Sequence, residues 1–336
     1  MKIYSLIITS LFSIFSYAQI QDFKSINFEK ADNIALVNKG ENLYNLPDLT
    51  YKLTDGLTTD VEKFRAIYVW VCQNIANDYG LYHLNKSKRE RFKNDSIKFN
   101  AWTTKFRKKL FKKLLNNKRT ICTGYAYMLK TLCDLADLEC EIIQGYGRVS
   151  TTNIENLELP NHSWNAIKLN GKWYLCDPTW ASGIPDPETN NFTYNYNDGF
   201  FLANPKLFAI NHFPIDHKWW LLDDEVPTFR AFLASPIIYG SAYKHLDQHG
   251  KPKQMHHVLK KGEALIFEYL TKTTLKKSDV RFYIDSGYNQ WKTEPTSQVI
   301  SGKTLLLKHQ FKSKGYFDVH LYLKENLIAT YTVEVK

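Results

Sequence analysis

Apolar side chains recur every three or four residues along the segment 60–76. Phe64, Ile67, Val71 and Ile75 fall on one side of a helix whose first residues are acidic. This spacing is typical of an amphipathic helix that turns one face toward a core. We therefore predict a scaffold helix here.

A second helix is predicted directly after residue 121. Its apolar residues stand at i, i+4, i+7 and i+11 and form one face, made of Tyr125, Leu129, Leu132 and Ala136. Cys122 falls in the first turn, where unpaired backbone N–H groups and aligned peptide dipoles favour negative charge. Because a helix N-terminus lowers the pKa of a thiol, Cys122 is the cysteine best placed to form a thiolate.

Apolar and polar residues alternate on both sides of Asn170-Gly171, within the segment 162–177. Two alternating runs around this dipeptide predict a β-hairpin with a two-residue turn. A buried strand from Cys140 to Tyr146 is predicted just before it.

From about Ser235 the chain changes to short β runs separated by Gly, Asn, Lys and Ser. Several short strands in about 100 residues are typical of an immunoglobulin-like sandwich. The predicted strands cover residues 264–270, 280–284, 304–307, 316–323 and 327–335. We predict an α+β protein with an N-terminal segment 19–59, a first domain 60–234 and an all-β sandwich 235–336.

The N-terminus has the order of a secretory signal peptide. Lys2 is followed by an apolar run to Phe15 and then by the small-residue stretch Ser16-Tyr17-Ala18. We predict that residues 1–18 are removed and that the protein is exported, to the periplasm or the extracellular space. No transmembrane segment is predicted, because no later stretch approaches the roughly 20 apolar residues that a span needs.

Positive charge is concentrated in one insertion, residues 83–119. Of the chain's formal charge of +10, residues 86–119 carry 14 Lys or Arg against two acidic residues, a local excess of +12. Such a run binds anionic polymers or surfaces, or it forms a solvated helical face. Export argues against nucleic acid as the partner.

The hairpin register brings a histidine and an aspartate together. Counted from the turn, His162 stands opposite Thr179 and Trp164 opposite Asp177, so all four share one face. His162 and Asp177 are then diagonal neighbours, with Cα atoms roughly 7–8 Å apart. A carboxylate against one ring nitrogen fixes the imidazole tautomer and leaves the other nitrogen for the thiol of Cys122. This predicts a Cys-His-Asp arrangement for nucleophilic catalysis.

Five cysteines are an odd number, so at least one thiol stays unpaired even where disulfides form. The cysteines other than Cys122 lie mid-helix or in strands, and we interpret them as small buried apolar residues: Cys72, Cys133, Cys140 and Cys176.

Other chemistries find little support. Ser241 and Ser286 lack a G-x-S-x-G elbow. His256 and His257 are adjacent in a predicted strand and point to opposite faces, so we predict surface histidines and no metal site. The chain contains neither a P-loop nor a dinucleotide fingerprint, and no cofactor is predicted. Aromatic residues could line a groove for a peptide or a sugar, or simply pack in the core: Trp173, Trp180, Tyr194, Tyr196, Trp219 and Trp220.

Three motifs in order resemble the transglutaminase-like core, in particular its bacterial and kyphoscoliosis-peptidase-type branch. They are CTGYAYMLKTLCDLADLECEIIQGYGR, NHSWNAIKLNGKWYLCDPTW and FFLANPKLFAINHFPIDHKWWLL. The resemblance implies a papain-like core in which Cys122, His162 and Asp177 are catalytic. Its motifs also match neighbouring residues with supporting roles, namely Gly124, Tyr125, Trp164, Asn165, Thr179 and Trp180.

The resemblance implies attack on a carbonyl and a thioester at the cysteine. We expect a peptide or protein substrate, with hydrolysis favoured over transfer to an amine, since nothing in the sequence marks a lysine-binding site. A crosslinking transglutaminase and a catalytically idle peptide or glycan binder are the alternatives. The second donor of an oxyanion hole, beside the backbone N–H of Cys122, is left open between Trp70, Gln73 and Trp102.

Overall fold

The computed structural model describes residues 20–223 and 226–336, so the predicted signal peptide lies outside the described residues. The helices are α1 Glu29–Val37, α2 Leu46–Thr54, α3 Asp60–Asn74, α4 Tyr79–Phe92, α5 Ser96–Asn117, α6 Cys122–Leu135, α7 Pro178–Ser182, α8 Pro205–Phe208, α9 Phe229–Ala234 and α10 Ala242–His245. Within the described ranges no helix is both long and apolar enough to cross a membrane.

The strands before residue 235 are β1 Ala76–Asn77, β2 Arg119–Thr120, β3 Cys140–Gly147, β4 His162–Leu169, β5 Lys172–Cys176, β6 Gly183–Pro185, β7 Phe192–Tyr194 and β8 His212–Pro214. Those after residue 235 are β9 Ile237–Ile238, β10 Leu246–Lys251, β11 His256–Leu259, β12 Ala264–Thr271, β13 Val280–Asp285, β14 Gln290–Thr293, β15 Ser297–Ser301, β16 Thr304–Gln310, β17 Gly315–Leu323 and β18 Asn326–Val335.

The predicted scaffold helix is α3. It begins with a capping box, in which Glu62 N–H donates to Thr59 Oγ1 and Thr59 N–H donates to the Glu62 carboxylate. Phe64, Ile67 and Val71 are buried, as the helical spacing predicts. The N-terminal helices α1 and α2 pack against α3, so residues 20–59 are part of the same core.

The predicted cysteine helix is α6, which lies on an antiparallel sheet of order β5-β4-β3-β8. Tyr125, Leu129 and Leu132 are fully buried between α6, α3 and the sheet. The helix therefore presents its first turn at the edge of the sheet where β4 begins.

The basic insertion lies on two helices, α4 and α5. Asp78 and Asp95 each cap a helix, accepting from Leu81 N–H and Lys98 N–H, and these caps start α4 and α5. Lysines and arginines carry high helix propensity, so the charged segment is helical almost throughout.

From β9 onward the chain forms two packed sheets, as predicted for residues 235–336. One sheet has the order β10-β12-β16-β15 and the other the order β11-β18-β17-β13-β14, with β9 on β18. Phe267 of β12 and Phe282 of β13 meet between the sheets with ring centroids 4.9 Å apart.

The hairpin register is confirmed between Asn165 and Cys176 and is wrong beyond them. Leu169 pairs with Lys172 and Asn165 with Cys176, but β5 ends there. Pro178 cannot donate to a ladder and opens α7, so neither Thr179 nor Asp177 faces β4 as a strand partner.

Candidate active site

Cys122 is the first residue of α6, and its side chain is 8% exposed. The preceding residue, Ile121, has no side-chain acceptor, so no cap competes for the first N–H groups of the helix. Gly124 lets this turn approach β2, because a Cβ there would lie 1.8 Å from Thr120 Oγ1. The backbone thus presents the thiol beside free N–H donors.

His162 is the first residue of β4 and is 7% exposed. The neighbouring strand β3 carries glycine beside it, since a Cβ on Gly147 would lie 2.9 Å from His162 Cβ. The Trp180 ring stacks on the imidazole, with centroids 4.7 Å apart and planes at 18°. Both contacts restrict the rotation of the imidazole.

Asp177 is fully buried and forms a hydrogen bond with the His162 imidazole. Its Oδ2 lies 2.7 Å from His162 Nε2, and its Oδ1 accepts from Thr179 N–H at 2.8 Å and Trp180 N–H at 3.1 Å. The contact predicted from the sequence therefore forms, although Asp177 caps a helix instead of continuing the strand. With Nε2 on the carboxylate, Nδ1 is the ring nitrogen left for the thiol of Cys122.

The two reactive groups shift each other's pKa. For Cys122, burial favours the neutral thiol, but the hydrogen bond and charge of His162 together with the Ser163 N–H outweigh it and lower the pKa. For His162, burial opposes charge, yet Asp177 and Cys122 raise the pKa to about 10. Burial would raise the pKa of Asp177, but the two histidines bring it well below its usual range. Both shifts are in the direction that favours a thiolate–imidazolium pair.

A second histidine, which was not predicted from the sequence, completes this network. His212, the first residue of β8, is 1% exposed and places Nε2 at 3.1 Å from Asp177 Oδ2. Burial, together with the charge of His162, lowers its pKa to about 4, so the ring is neutral and has one N–H. Nδ1 lies 3.2 Å from Phe208 O, but the charged Asp177 carboxylate is the stronger acceptor, which favours the N–H on Nε2. The signal was present in the third motif, where His212 precedes Phe213-Pro214.

The ligand atoms of His162, Asp177 and His212 lie within 4.8 Å of one another, which makes this the metal-capable group of the described residues. The nitrogen–oxygen distances of 2.7 and 3.1 Å are hydrogen-bond lengths, and both carboxylate oxygens already accept N–H donors. As it stands, the arrangement is a hydrogen-bond network.

The remaining residues matched by the motifs lie around this network. Tyr125 O–H donates to Ile75 O at 2.5 Å, and Asn165 Nδ2 donates to Ala126 O at 3.0 Å, which ties α6 to α3 and β4. The Trp164 ring lies 5.0 Å from His212 at 73° and is buried. Thr179 and Trp180 act through their N–H groups on Asp177, as described above.

Two of the three oxyanion candidates have other partners. Trp70 Nε1 donates to Asn38 O at 2.7 Å inside the core, and Trp102 Nε1 donates to Asn85 Oδ1 at 3.1 Å inside the insertion. Gln73 therefore stays the side-chain candidate from the original three.

The cysteines other than Cys122 are free and buried. Burial raises the pKa of Cys72, Cys133 and Cys176, which keeps these thiols protonated. The Ser241 hydroxyl donates to Leu327 O, and the Ser286 hydroxyl to Asn289 O, so neither contacts a base.

The aromatic residues considered for a groove do not share one surface. Trp173 contacts Trp219 and pairs with Lys168, six residues along β4 from His162 and therefore about 20 Å away. Trp180, unlike Trp173, contacts the site, because its ring stacks on His162. It also borders a cleft of about 440 Å³ toward the β sandwich, whose lining includes Ile184, Asn195, Tyr239 and Lys244.

Fold and site together define an α+β protein with a cysteine, a histidine and an aspartate in one hydrogen-bonded group. The family model of the transglutaminase-like superfamily matches residues 47–178, a range that includes all three residues. This part of the chain is a transglutaminase-like domain, and the superfamily consists generally of cysteine-based enzymes.

Curated relatives extend the likeness. Human kyphoscoliosis peptidase is 33% identical over 198 residues, which are 58% of this chain and 27% of the human protein. Hillarin of Drosophila melanogaster is 26% identical over 66% of this chain and 26% of its own length. The Lim and transglutaminase domain protein ltd-1 of Caenorhabditis elegans is 24% identical over 72% of this chain and 34% of its own. The chain thus spans about a quarter to a third of these relatives.

Proposed function

We propose that this chain is an exported cysteine enzyme that hydrolyses amide bonds of peptides or proteins. The observation that carries the proposal is the chain of contacts from Cys122 through His162 to Asp177, with the thiol pKa lowered and the imidazole pKa raised. Perturbed and mutually compensating pKa values beside a helix N-terminus are typical of activated thiols. Membership of the superfamily supports the same chemistry.

In the proposed reaction the Cys122 thiolate attacks the carbonyl carbon and forms a carbon–sulfur bond. The oxyanion is stabilised by the free N–H groups at the start of α6. The imidazolium Nδ1–H of His162 protonates the leaving nitrogen as the carbon–nitrogen bond breaks, which releases an amine and leaves a thioester. Neutral His162 then takes a proton from water, and the resulting hydroxide displaces the thiolate and releases a carboxylic acid. Asp177 keeps the ring oriented and stabilises its positive charge throughout.

An activated ester tests whether Cys122 forms an acyl-enzyme. Treatment with p-nitrophenyl acetate should add one acetyl group to the protein, located on Cys122 by peptide mass spectrometry. Limiting iodoacetamide at pH 6 should label the same residue first. An acetyl group or a label found mainly on Cys72, Cys133, Cys140 or Cys176 of the folded protein contradicts the proposal. Cys122→Ala should abolish the adduct, and His217→Ala, which removes an exposed histidine, should leave it unchanged.

The fate of the thioester separates a hydrolase from a crosslinker. The loop 181–199 is mostly polar and residues 86–119 carry 14 Lys or Arg, a composition that does not favour a dry approach for an amine. We expect the acetyl-enzyme to give mostly acetate in the presence of millimolar monodansylcadaverine. A majority of N-acetylated amine would indicate a transglutaminase instead.

Export is proposed from the N-terminal sequence. Expression in a secreting host and mass spectrometry of the mature chain should place its first residue at Gln19. An intact N-terminus in the cytosolic fraction would contradict export and leave the chemistry unaffected.

A further inference from the structure

Helix α4 spans the candidate site from the cysteine side to the histidine side. At its start, Leu81 packs in an apolar cluster with Ile121, the residue before Cys122. Near its end, Arg89 Nη1 donates to Pro160 O at 3.0 Å and Lys93 Nζ lies 2.8 Å from the Glu158 carboxylate. Pro160 is two residues before His162, and twelve residues of helix measure about 18 Å. Helix α4 therefore runs past both reactive residues.

Arg89 and Tyr82 occupy the face of α4 that turns toward the site. They are seven residues apart, and this spacing returns to the same side of a helix. Burial is the largest influence on both pKa values, raising that of Tyr82 and lowering that of Arg89. The charge of Cys122 is a smaller influence that raises both. Tyr82 packs against the apolar cluster that contains Ile121, the residue before Cys122, and Arg89 reaches Pro160, two residues before His162.

The Arg89 guanidinium has no acidic partner within residues 20–223 and 226–336. Its contacts there are the Pro160 carbonyl and the Phe99 ring, whose centroid lies 5.4 Å from Cζ. Burial lowers its pKa, and Cys122 is the charged group that opposes this shift. Four of its five N–H bonds have no acceptor among these contacts, although the side chain is half-buried.

Arg148 is a structural arginine of the same protein and serves as a comparison for Arg89. Arg148 also donates only to a carbonyl, that of Pro236, but it is 3% exposed and sealed against a ligand. Arg89 differs because it is only half-buried and contacts Pro160, two residues before His162. A planar guanidinium matches a carboxylate with two parallel hydrogen bonds, and a partly desolvated pair of this kind is strong.

We propose that Arg89 is a binding subsite for a substrate carboxylate, so that the enzyme prefers peptides with Asp or Glu next to the reacting amide. The proposal rests on the proposed function of Cys122. It assigns to the insertion a role in choosing the substrate, in addition to any role in surface binding. Tyr82 is placed to donate its O–H to the same carboxylate.

Two alkylating reagents of nearly equal size test this subsite. Iodoacetate carries a carboxylate next to the reacting carbon and iodoacetamide carries a neutral amide. With either reagent the Cys122 sulfur displaces iodide and forms a carbon–sulfur bond. The ratio of the two rates, measured at pH 7 on the mature protein, reports the carboxylate preference independently of thiolate content. The comparison uses Arg89→Gln, Arg89→Lys and the control Arg107→Gln, which removes an exposed charge of the same insertion.

Arg89→Gln should lower the iodoacetate-to-iodoacetamide ratio by about fivefold, the size of one charge–charge contact at a partly buried site. Arg89→Lys should keep part of the ratio, and Arg107→Gln should keep nearly all of it. If Arg89 only anchors α4 to Pro160, Arg89→Gln will change both rates together and leave the ratio at the value of Arg107→Gln, which overturns the subsite. Failure of iodoacetamide to label Cys122 at all would instead refute the proposed function.

Discussion

His212 Nε2 and Asp177 Oδ2 lie 3.1 Å apart in the buried centre of the site, and the same oxygen lies 2.7 Å from His162 Nε2. One carboxylate thus joins two histidines of opposite character, since the pKa of His162 is raised to about 10 and that of His212 is lowered to about 4. Two adjacent cations would repel each other in this buried place, so only one ring is charged. His212 acts as a neutral donor that holds the carboxylate for its charged neighbour.

Removing the His212 N–H donor should lower the reactivity of Cys122, although the thiol itself is unchanged. His212→Phe should slow iodoacetamide labelling of Cys122 at pH 6 by about tenfold, the equivalent of one hydrogen bond to a charged group. His212→Gln, which keeps an N–H donor, should recover much of the rate. Equal rates for both variants and for the unaltered protein would show that His212 has no positioning role.

His212 should also make the fold sensitive to mild acid. A histidine whose folded pKa is lowered contributes stability that is present above its unfolded pKa of 6.5 and is lost as pH falls toward about 4. The shift corresponds to about 3 kcal/mol of unfolding free energy. Urea unfolding of the unaltered protein should show this loss between pH 7 and pH 4. In His212→Gln the loss should be smaller by a comparable amount, and an identical loss would contradict a neutral buried His212.

The labelling rate of Cys122 should follow the coupled titration of Cys122 and His162. The hydrogen bond and charge of His162 lower the thiol pKa, so the rate should reach half its plateau below pH 9, the ordinary value. His162 keeps its proton until about pH 10, where a second step is expected. In His162→Ala burial and the charge of Asp177 raise the thiol pKa against the Ser163 N–H alone, so the midpoint should move to higher pH. A midpoint unchanged by His162→Ala would exclude the ion pair.

Asp177→Asn should preserve the fold and lower turnover by a factor of about 10⁴, because the amide can hold the imidazole in the wrong tautomer. The substitution is nearly isosteric, and Thr179 and Trp180 N–H can still donate to the amide oxygen. Acetate release from p-nitrophenyl acetate is the measurement, with circular dichroism as the control for folding. A loss of less than about tenfold would remove Asp177 from the proposed machinery.

The exposed face of α5 should bind polyanions. Its solvent-facing cations form no ion pair within the described ranges of the chain, and they are Lys105, Arg107, Lys108, Lys109 and Lys112. Elution from heparin should need markedly less salt after Lys108→Gln with Lys112→Gln. The same charge removed from the sandwich by Lys303→Gln with Lys308→Gln should have little effect. Equal shifts for the two double variants would leave α5 as a solvated surface.

Local sequence patterns determined the elements that carry the site. Period-3.6 spacing predicted α3 and α6 with Cys122 in the first turn, and both helices form where expected. Asn170 and Gly171 predicted the hairpin turn, and both have the positive φ, 50° and 80°, that this turn requires. These features depend on backbone sterics and on neighbours a few residues apart, which a single sequence contains in full.

Tertiary packing decided the rest of the site. His212 reaches Asp177 across 35 residues of chain, and Arg89 reaches Pro160 across 71, separations at which no spacing rule operates. The strand break at Pro178 turned Asp177 into a helix cap, yet the carboxylate still contacts His162 because Thr179 and Trp180 hold its other oxygen. The neutral state of His212 results from burial and from the charge of His162. The half-buried position of Arg89, with no acidic partner among residues 20–223 and 226–336, likewise results from packing. Both of these exist only once the chain has folded.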